Sequence, residues 1–298
     1  MTIKEFIEFA KQNLSSIYPL EEANSIAIRL LVDLANFKQY DYLVNPNKLL
    51  TETNSKGHLE PLLLTAIERL KQGEPLQHIL GFEWFYGQKF KVSKDVLIPR
   101  PETEELVDLI IKEYNSSLFN NFSILDICTG SGCIIHTLAL NLKQGNYYGC
   151  DISKKALQIA EHQSYITEKY TKPKFFICDI LNPQAESIIN NNCSNNKFDI
   201  IVSNPPYICE KEKILMRNNV LNFEPHIALF VPDNNPLLFY TQIAKTSQSL
   251  LKKGGTLYFE INEQYGYQIL KMLEANNYKN CSIIKDLNGK DRIAKAKK

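Results

Sequence analysis

What this chain lacks narrows its function before any motif is read. No apolar run approaches the roughly 20 residues that a membrane span requires. The opening Met1-Thr2-Ile3-Lys4-Glu5 has none of the charged-then-apolar order of a secretory leader and reads instead as the start of a helix. The seven cysteines form no Cys-x-x-Cys pair, and no histidine stands at metal-ligand spacing beside the closest two, Cys128 and Cys133. Neither a disulfide scaffold nor a metal is therefore expected, no membrane partner is expected, and a reducing cytoplasm is the expected compartment. Charge of one sign is also missing. The net charge is +1, and residues 1–80 carry 8 Lys and Arg against 10 Asp and Glu, a local balance of −2. A surface that grips phosphates would be clearly basic, so direct nucleic-acid binding is not expected. The Lys-rich end (Lys295, Lys297, Lys298) reads as a solvated tail, with phosphate contact as the alternative.

What is present is a globular balance, 44% hydrophobic and 22% charged over 298 residues, which suits two domains. The first third is helical in pattern. Apolar residues recur at helical spacing over 2–14 and about 21–37, and a third segment over about 59–71 is closed by Gly73 with Pro75 beyond it. Residues 82–92 are aromatic and broken by Gly87, which predicts a hairpin. Pro101 then opens a new helix whose first turn carries Glu102, Glu104 and Glu105. From Ser123 onward strands and helices alternate. Strands are expected over 123–127, 147–150, 174–178, 198–203 and 256–261, with a closing edge hairpin from 281–285 and 292–296. The stretch 190–196 reads as a polar loop. The expected architecture is α/β: a helical domain over 1–80, a β-hairpin linker over 81–100 and a doubly wound, mostly parallel sheet over 101–298.

The first strand runs into Asp126-Ile127-Cys128-Thr129-Gly130-Ser131-Gly132, followed by an apolar helix. Ligands of open α/β sheets bind beyond the carboxyl ends of the strands, where this turn lies. Gly130 and Gly132 would let backbone approach a ligand closely. The third glycine of a dinucleotide fingerprint is replaced by Ile135, and the lysine of a P-loop is missing. A cofactor with an amino-acid tail and no phosphate fits better, with Asp126 toward its ammonium and backbone N–H groups toward its carboxylate. Asp151, 25 residues past Asp126, ends the second strand and can accept both hydroxyls of a ribose. The alternative is that Asp151 or Ser153 caps the next helix. Asp179, ending the third strand, can accept an adenine amine with Ile180 against the ring, or can simply form the turn before Asn182-Pro183.

The most specific feature is Asn204-Pro205-Pro206-Tyr207, placed directly after the buried strand 198–203. A proline turn alone does not account for the aromatic that follows or for its place beside the cofactor turn. Methyl transfer to a planar nitrogen does. An amide nitrogen is a poor nucleophile because its lone pair is delocalised into the carbonyl. A site must accept both of its N–H protons and aim the lone pair at the donor. Asn204 Oδ1 and the Pro205 carbonyl can accept them, held by two rings that fix φ, while Tyr207 can stack on the planar group and face a cationic sulfonium.

With Gly73–Gly81, Leu97–Glu104, Phe223–Leu229 and Asp286–Arg292, these residues resemble the PrmC/HemK family, and the resemblance covers nearly the whole chain. It implies a Rossmann-like class I methyltransferase sheet using S-adenosyl-L-methionine and releasing S-adenosyl-L-homocysteine. It implies N5-methylation of the glutamine in the Gly-Gly-Gln motif of class 1 peptide chain release factors. By that resemblance Cys128, Thr129, Gly130, Ser131, Gly132, Asp151, Ile180 and Asn204 contact the cofactor. Asn204, Pro205, Pro206 and Tyr207 grip the glutamine, and the helical domain helps hold the release factor. Two positions depart from the family pattern. Cys128 stands where glycine is usual and should require a negative φ, and Ile180 stands where an aromatic is common, which weakens stacking on adenine. The runner-up is an N6-adenine methyltransferase on DNA or RNA, which would need a basic groove for a flipped base; a non-catalytic module fits the retained acidic and glycine residues poorly.

Overall fold

The computed structural model describes residues 1–51, 53–54, 57–115, 122–142, 145–163, 170–194 and 197–298. They divide into two compact units, Met1–Phe82 with Arg217–Phe223, and Glu83–Met216 with Glu224–Lys298.

The first unit is helical. Its opening helix α1 (Ile3–Leu14) is set by a reciprocal cap: the Thr2 hydroxyl accepts the Glu5 N–H, and the Glu5 carboxylate accepts the Thr2 N–H. Ile3, Phe6, Ala10 and Leu14 fall on one face and are buried. The expected single helix over 21–37 is instead α2 (Leu20–Arg29) followed by a π-helical turn, Leu30–Leu34. Two residues beyond that wider turn Asn36 takes φ 62°, and the Phe37 N–H returns to the Leu31 carbonyl. Helix α3 (Leu59–Lys71) ends as its glycine implied. Gly73, at φ 85°, donates to Leu70, and Glu74 donates to Arg69, the paired bonds of a Schellman stop. Arg69 and Glu74 add a two-pronged ion pair at 2.6 and 2.7 Å. A short α4 (Leu76–Leu80) follows, and Leu76, Ile79 and Leu80 join the same apolar core as the earlier helices.

The hairpin Phe82–Phe85 and Gln88–Lys91, which lies in the second unit from Glu83 onward, turns at Tyr86 and Gly87, both at positive φ as a two-residue turn requires. Helix α5 (Pro101–Tyr114) begins at its proline. The sheet consists of β1 (Phe122–Ile127), β2 (Gly145–Asp151), β3 (Lys174–Ile177), β4 (Phe198–Ser203), β5 (Leu251–Glu260), β6 (Lys279–Lys285) and β7 (Asp291–Lys297). Their spatial order is β6-β7-β5-β4-β1-β2-β3, parallel except for β7, which runs antiparallel to both of its neighbours. The terminal hairpin thus closes one edge, and the Lys-rich end is no free tail. Lys295 and Lys297 lie in β7, with Lys295 Nζ 2.5 Å from Glu113. Helices α6 (Cys133–Asn141), α7 (Lys154–Glu161), α8 (Ala185–Asn192), α9 (Leu238–Leu250) and α10 (Gly266–Ala275) complete the layers.

Alternation along the strands divides the core. Ile124, Ile200 and Val202 join α5 and α6 on one face, while Leu125 and Ile201 join α8, α9 and α10 on the other. Most strand boundaries shift by one or two residues, and two further expectations change by more. Strand β5 starts at Leu251 rather than 256, because Leu251 already pairs with Phe198 of β4; an irregularity follows before Thr256, where Gly254 takes φ 81°. Residues 190–192 of the expected polar loop end α8, whose Ile189 is buried, and 195–196 lie outside the described residues. The chain proceeds outward from β1 through β2 and β3 on one side and from β4 to β5 on the other. The strand order therefore reverses between β1 and β4, and the crevice opens at their carboxyl ends.

Candidate active site

A cavity with about 1170 Å³ of empty space, counting its open mouth, lies at those strand ends within the second unit. The turn after β1 forms its floor. Cys128 sits there at φ 62°, contrary to the expectation of a negative φ. Left-handed backbone costs a residue with a side chain about 1–2 kcal/mol, so neighbouring bonds must hold it. The Ser203 hydroxyl donates to the Ile127 carbonyl at 2.5 Å, and the Thr129 N–H donates to Cys150 of β2 at 3.0 Å. The thiol packs against the core below, and burial pushes it well above its ordinary range, which removes it as a nucleophile.

The two glycines of the turn do different work. Gly130, at φ 54°, lines the cavity, and a Cβ there would meet nothing within 4 Å. Gly132, at φ 78°, is not part of the lining; a Cβ would fall 2.9 Å from the His136 ring and 3.1 Å from Ala160 Cβ. Its missing side chain lets α6 and α7 pack rather than admitting a ligand. Asp126 likewise lies behind the turn. It is fully buried, its Oδ2 accepts the Thr129 hydroxyl at 2.6 Å, and burial pushes its carboxyl up to about 8. Its observed part is to brace the turn.

Asp151, at the end of β2, does line the cavity. Its Oδ2 accepts the Gly130 N–H and its Oδ1 the Ser153 N–H, both at 2.9 Å, which joins the turn after β1 to the one after β2. Burial raises this carboxyl, and the N–H groups of Ser153 and Gly130 pull the other way. Helix α7 is capped by Ser153, whose hydroxyl accepts the Ala156 N–H, so Asp151 is not consumed as the cap. Each carboxylate oxygen keeps acceptor capacity for a hydroxyl. Asp179 forms the expected turn, its Oδ1 accepting the Leu181 N–H, and yet it also lines the cavity beside Ile180. Thr129 and Ser131 complete the floor.

At the end of β4, Asn204 and Pro206 line the same cavity, while Pro205 and Tyr207 do not. The Asn204 Nδ2 donates to Thr103 Oγ1 at 3.3 Å. Tyr207 is half-buried, with its O–H donating to Glu260 at 3.0 Å and its carbonyl accepting from Asn262. Burial and the adjacent Glu260 push its phenol far above the usual range.

Sequence reasoning missed the far wall. Val96, Leu97, Pro99, Arg100 and Thr103 face the cavity from one segment, and Pro225, Ile227 and Ala228 from another. A buried Glu224 ties the two together, accepting the Ile98 N–H at 3.0 Å and an Arg100 N–H at 2.6 Å. Both stretches were visible only as marks of resemblance, because neither carries a spacing that specifies chemistry by itself.

The donor set decides what such a cavity suits. Asp151 and Asp179 present carboxylates, Gly130 presents backbone without a side chain, and Ile152, Ile180, Leu181 and Ala156 present apolar surface. Among the described residues the one cationic side chain in the lining, Arg100, is already paired with Glu224. A ribose, an adenine-like ring and a positively charged tail fit these groups, and phosphates do not. Among the described residues no cluster of three or more His, Cys, Asp or Glu could hold a metal ion, and no helix is long and apolar enough to cross a membrane.

Comparison with known proteins agrees with this geometry. Residues 118–295 match the methyltransferase domain family and residues 5–81 the PrmC N-terminal domain. The release factor glutamine methyltransferase of Bacteroides thetaiotaomicron is 41% identical over 288 residues, 97% of each chain. That of Flavobacterium psychrophilum is 41% identical over 296 residues, 99% of each, and that of Leptospira interrogans 37% over 266, 89% of this chain and 87% of the relative. The chain belongs to the family of release factor glutamine methyltransferases.

Proposed function

We propose that the protein transfers a methyl group from S-adenosyl-L-methionine to the side-chain N5 nitrogen of the glutamine in the Gly-Gly-Gln motif of class 1 peptide chain release factors. The observation that carries this reading is the shared cavity: Asn204 and Pro206 stand at its edge, and Asp151 and Gly130 stand at its floor. When bound, the cofactor supplies an electrophilic methyl on a sulfonium. The Asp151 carboxylate holds the ribose hydroxyls, Asp179 with Ile180 takes the adenine edge and face, and Cys128, Thr129, Gly130 and Ser131 form the backbone floor under the amino-acid tail. Gly132 and Asp126 serve the cofactor indirectly, by setting the shape of that turn.

On the substrate side, Asn204 Oδ1 accepts one N–H of the glutamine amide and the Pro205 carbonyl the other. The two prolines fix that geometry before substrate arrives, and holding reacting groups in this way can lower a barrier by roughly 7–11 kcal/mol at best. Tyr207 acts as a fixed ring rather than a proton carrier, since its O–H is committed to Glu260. No side chain needs to act as a base, because the amide grows more acidic as the methyl bonds and water takes the proton afterward. The helical unit serves as the recognition domain for the release factor, and the seven free thiols suit a reducing cytoplasm. An acceptor assay with tritiated S-adenosyl-L-methionine tests the reading. Label should enter a release factor carrying Gly-Gly-Gln and be lost when that glutamine is replaced; label on DNA or tRNA alone would refute it in favour of adenine methylation.

A further inference from the structure

Asn204 has a problem that its neighbours solve. The side-chain amide presents an oxygen acceptor and an NH2 donor of nearly equal shape, and a half-turn about its last torsion exchanges them. Only one orientation serves the proposed function, on which this inference rests. With Oδ1 outward the side chain accepts a substrate N–H; with Nδ2 outward, two donors face each other and the grip is lost. Nothing in Asn-Pro-Pro-Tyr itself selects between the two.

We infer that Thr103 and Glu260 are positioning residues, forming a hydroxyl–carboxylate chain that fixes the Asn204 amide with its oxygen toward the substrate. Thr103 lies in the first turn of α5 and is 2% exposed; Glu260 ends β5 and is 1% exposed. The Thr103 hydroxyl lies 2.6 Å from Glu260 Oε2 and 3.3 Å from Asn204 Nδ2. A hydroxyl has one proton to give. The short contact to a buried carboxylate claims it, because a hydrogen bond to an ionised acceptor is roughly twice as strong as a neutral one. Only lone pairs then remain toward Asn204, so only the NH2 end of the amide can satisfy Thr103, and Oδ1 is left as the outward acceptor.

The other carboxylate oxygen is engaged as well: Glu260 Oε1 accepts the Tyr207 O–H at 3.0 Å. One buried carboxylate therefore sets both ends of the tetrapeptide, through Thr103 at Asn204 and directly at Tyr207. The assignment of roles is forced from the same source at each end, since an ionised carboxylate accepts and cannot donate. Burial raises the Glu260 carboxyl above its ordinary range, while the Thr103 and Tyr207 hydroxyls, and after them the charge of Arg292, pull it back toward the ionised form.

Four substitutions, Asn204→Ala among them, separate this inference from a merely structural role and from failure of the parent reading. Thr103→Val keeps the shape and removes the hydroxyl; Thr103→Ser restores it; Glu260→Gln puts a donor where one acceptor was. Methyl transfer to the release factor is measured at saturating cofactor, beside the dissociation constant for S-adenosyl-L-methionine and the melting temperature. Thr103→Val should lower kcat about 10- to 100-fold, the range expected when a reacting group is misplaced by an ångström or less. KM for the release factor and cofactor affinity should stay within about threefold, since uniform binding is not what is lost. Thr103→Ser should recover most of the loss, and Glu260→Gln should resemble Thr103→Val. The inference is overturned if Thr103→Val keeps kcat within twofold of wild type while Asn204→Ala loses it. It is equally overturned if Thr103→Ser is as poor as Thr103→Val, or if the loss lies wholly in cofactor affinity or melting temperature. Unchanged turnover in Asn204→Ala would instead refute the role of Asn204, and the chain built on it would fall with it.

Discussion

Two buried titratable groups in the second unit should pull its pH-stability profile in opposite directions, and one substitution exposes both. Asp126 is held at about 8 by burial, from 3.8 in an unfolded chain. Its contribution to stability is therefore complete below about pH 4 and is lost as pH rises through 8, because the unfolded chain releases a proton that the folded chain keeps. His136 is the reverse. It is buried, its Nε2 lies 2.9 Å from the Ala160 carbonyl and its Nδ1 2.5 Å from the Tyr170 hydroxyl, and burial lowers it to about 4 from 6.5. Its contribution is complete above pH 6.5 and is lost as pH falls through 4. Between pH 4 and 6.5 the two slopes cancel in the wild type. Of the two, Asp126 alone acts from 6.5 to 8, and at about 1.4 kcal/mol per pH unit its share of stability should fall by about 2 kcal/mol. Asp126→Asn should flatten that fall and uncover a rise of about 3 kcal/mol from pH 4 to 6.5. Trp84 is the only tryptophan and lies in the second unit, so its fluorescence in urea titrations at several pH values reports on the right unit. Parallel wild-type and Asp126→Asn profiles between pH 6.5 and 8 would mean that Asp126 is ionised in the fold and that the burial argument is wrong.

The glycines of the cofactor turn should separate cleanly. Gly132→Ala should destabilise the second unit by about 2–4 kcal/mol, combining left-handed backbone strain with overpacking against His136, read by the same Trp84 titration. Gly130→Ala meets no atom, so its main effect should be weaker cofactor binding in calorimetry, with a stability loss of about 1–2 kcal/mol. Cys128→Gly should change stability by less than about 1 kcal/mol, since the relief of strain is offset by the greater unfolded-state freedom of glycine and lost packing; a loss beyond about 3 kcal/mol would show that the thiol's packing dominates. Asn204→Ala should abolish transfer to the release factor while calorimetry finds cofactor affinity within a few-fold of wild type.

Much of this was readable in the order of residues. The strand before Asn204 was placed to the residue, because the apolar run Ile200–Val202 is stopped within a few residues by a proline pair and has little freedom of register. The Schellman stop at Gly73 and the proline start of α5 were legible for the same local reason. What escaped were features fixed by packing at a distance. The π-helical turn at Leu30–Leu34 keeps the apolar spacing of a helix, and periodicity alone does not reveal it. Gly130 and Gly132 look alike in sequence, yet only the approach of Ala160 from another helix makes one of them a packing glycine. Asp126 stands in the position of a ligand contact and turns out to brace Thr129. Thr103 and Glu260 lie 157 residues apart in the chain, and no motif joins them.

The cavity floor is assembled from the ends of β1, β2, β3 and β4 at once, strands joined by backbone bonds such as Thr129 to Cys150 and Cys178 to Asp151. A molecule seated there binds only when all four ends are in register, and so it favours the folded sheet by mass action. At 100 times its dissociation constant it would add about 2.7 kcal/mol to the second unit. The supply of cofactor would then govern more than turnover: a starved enzyme would open more often, and its lifetime among proteases would shorten with it.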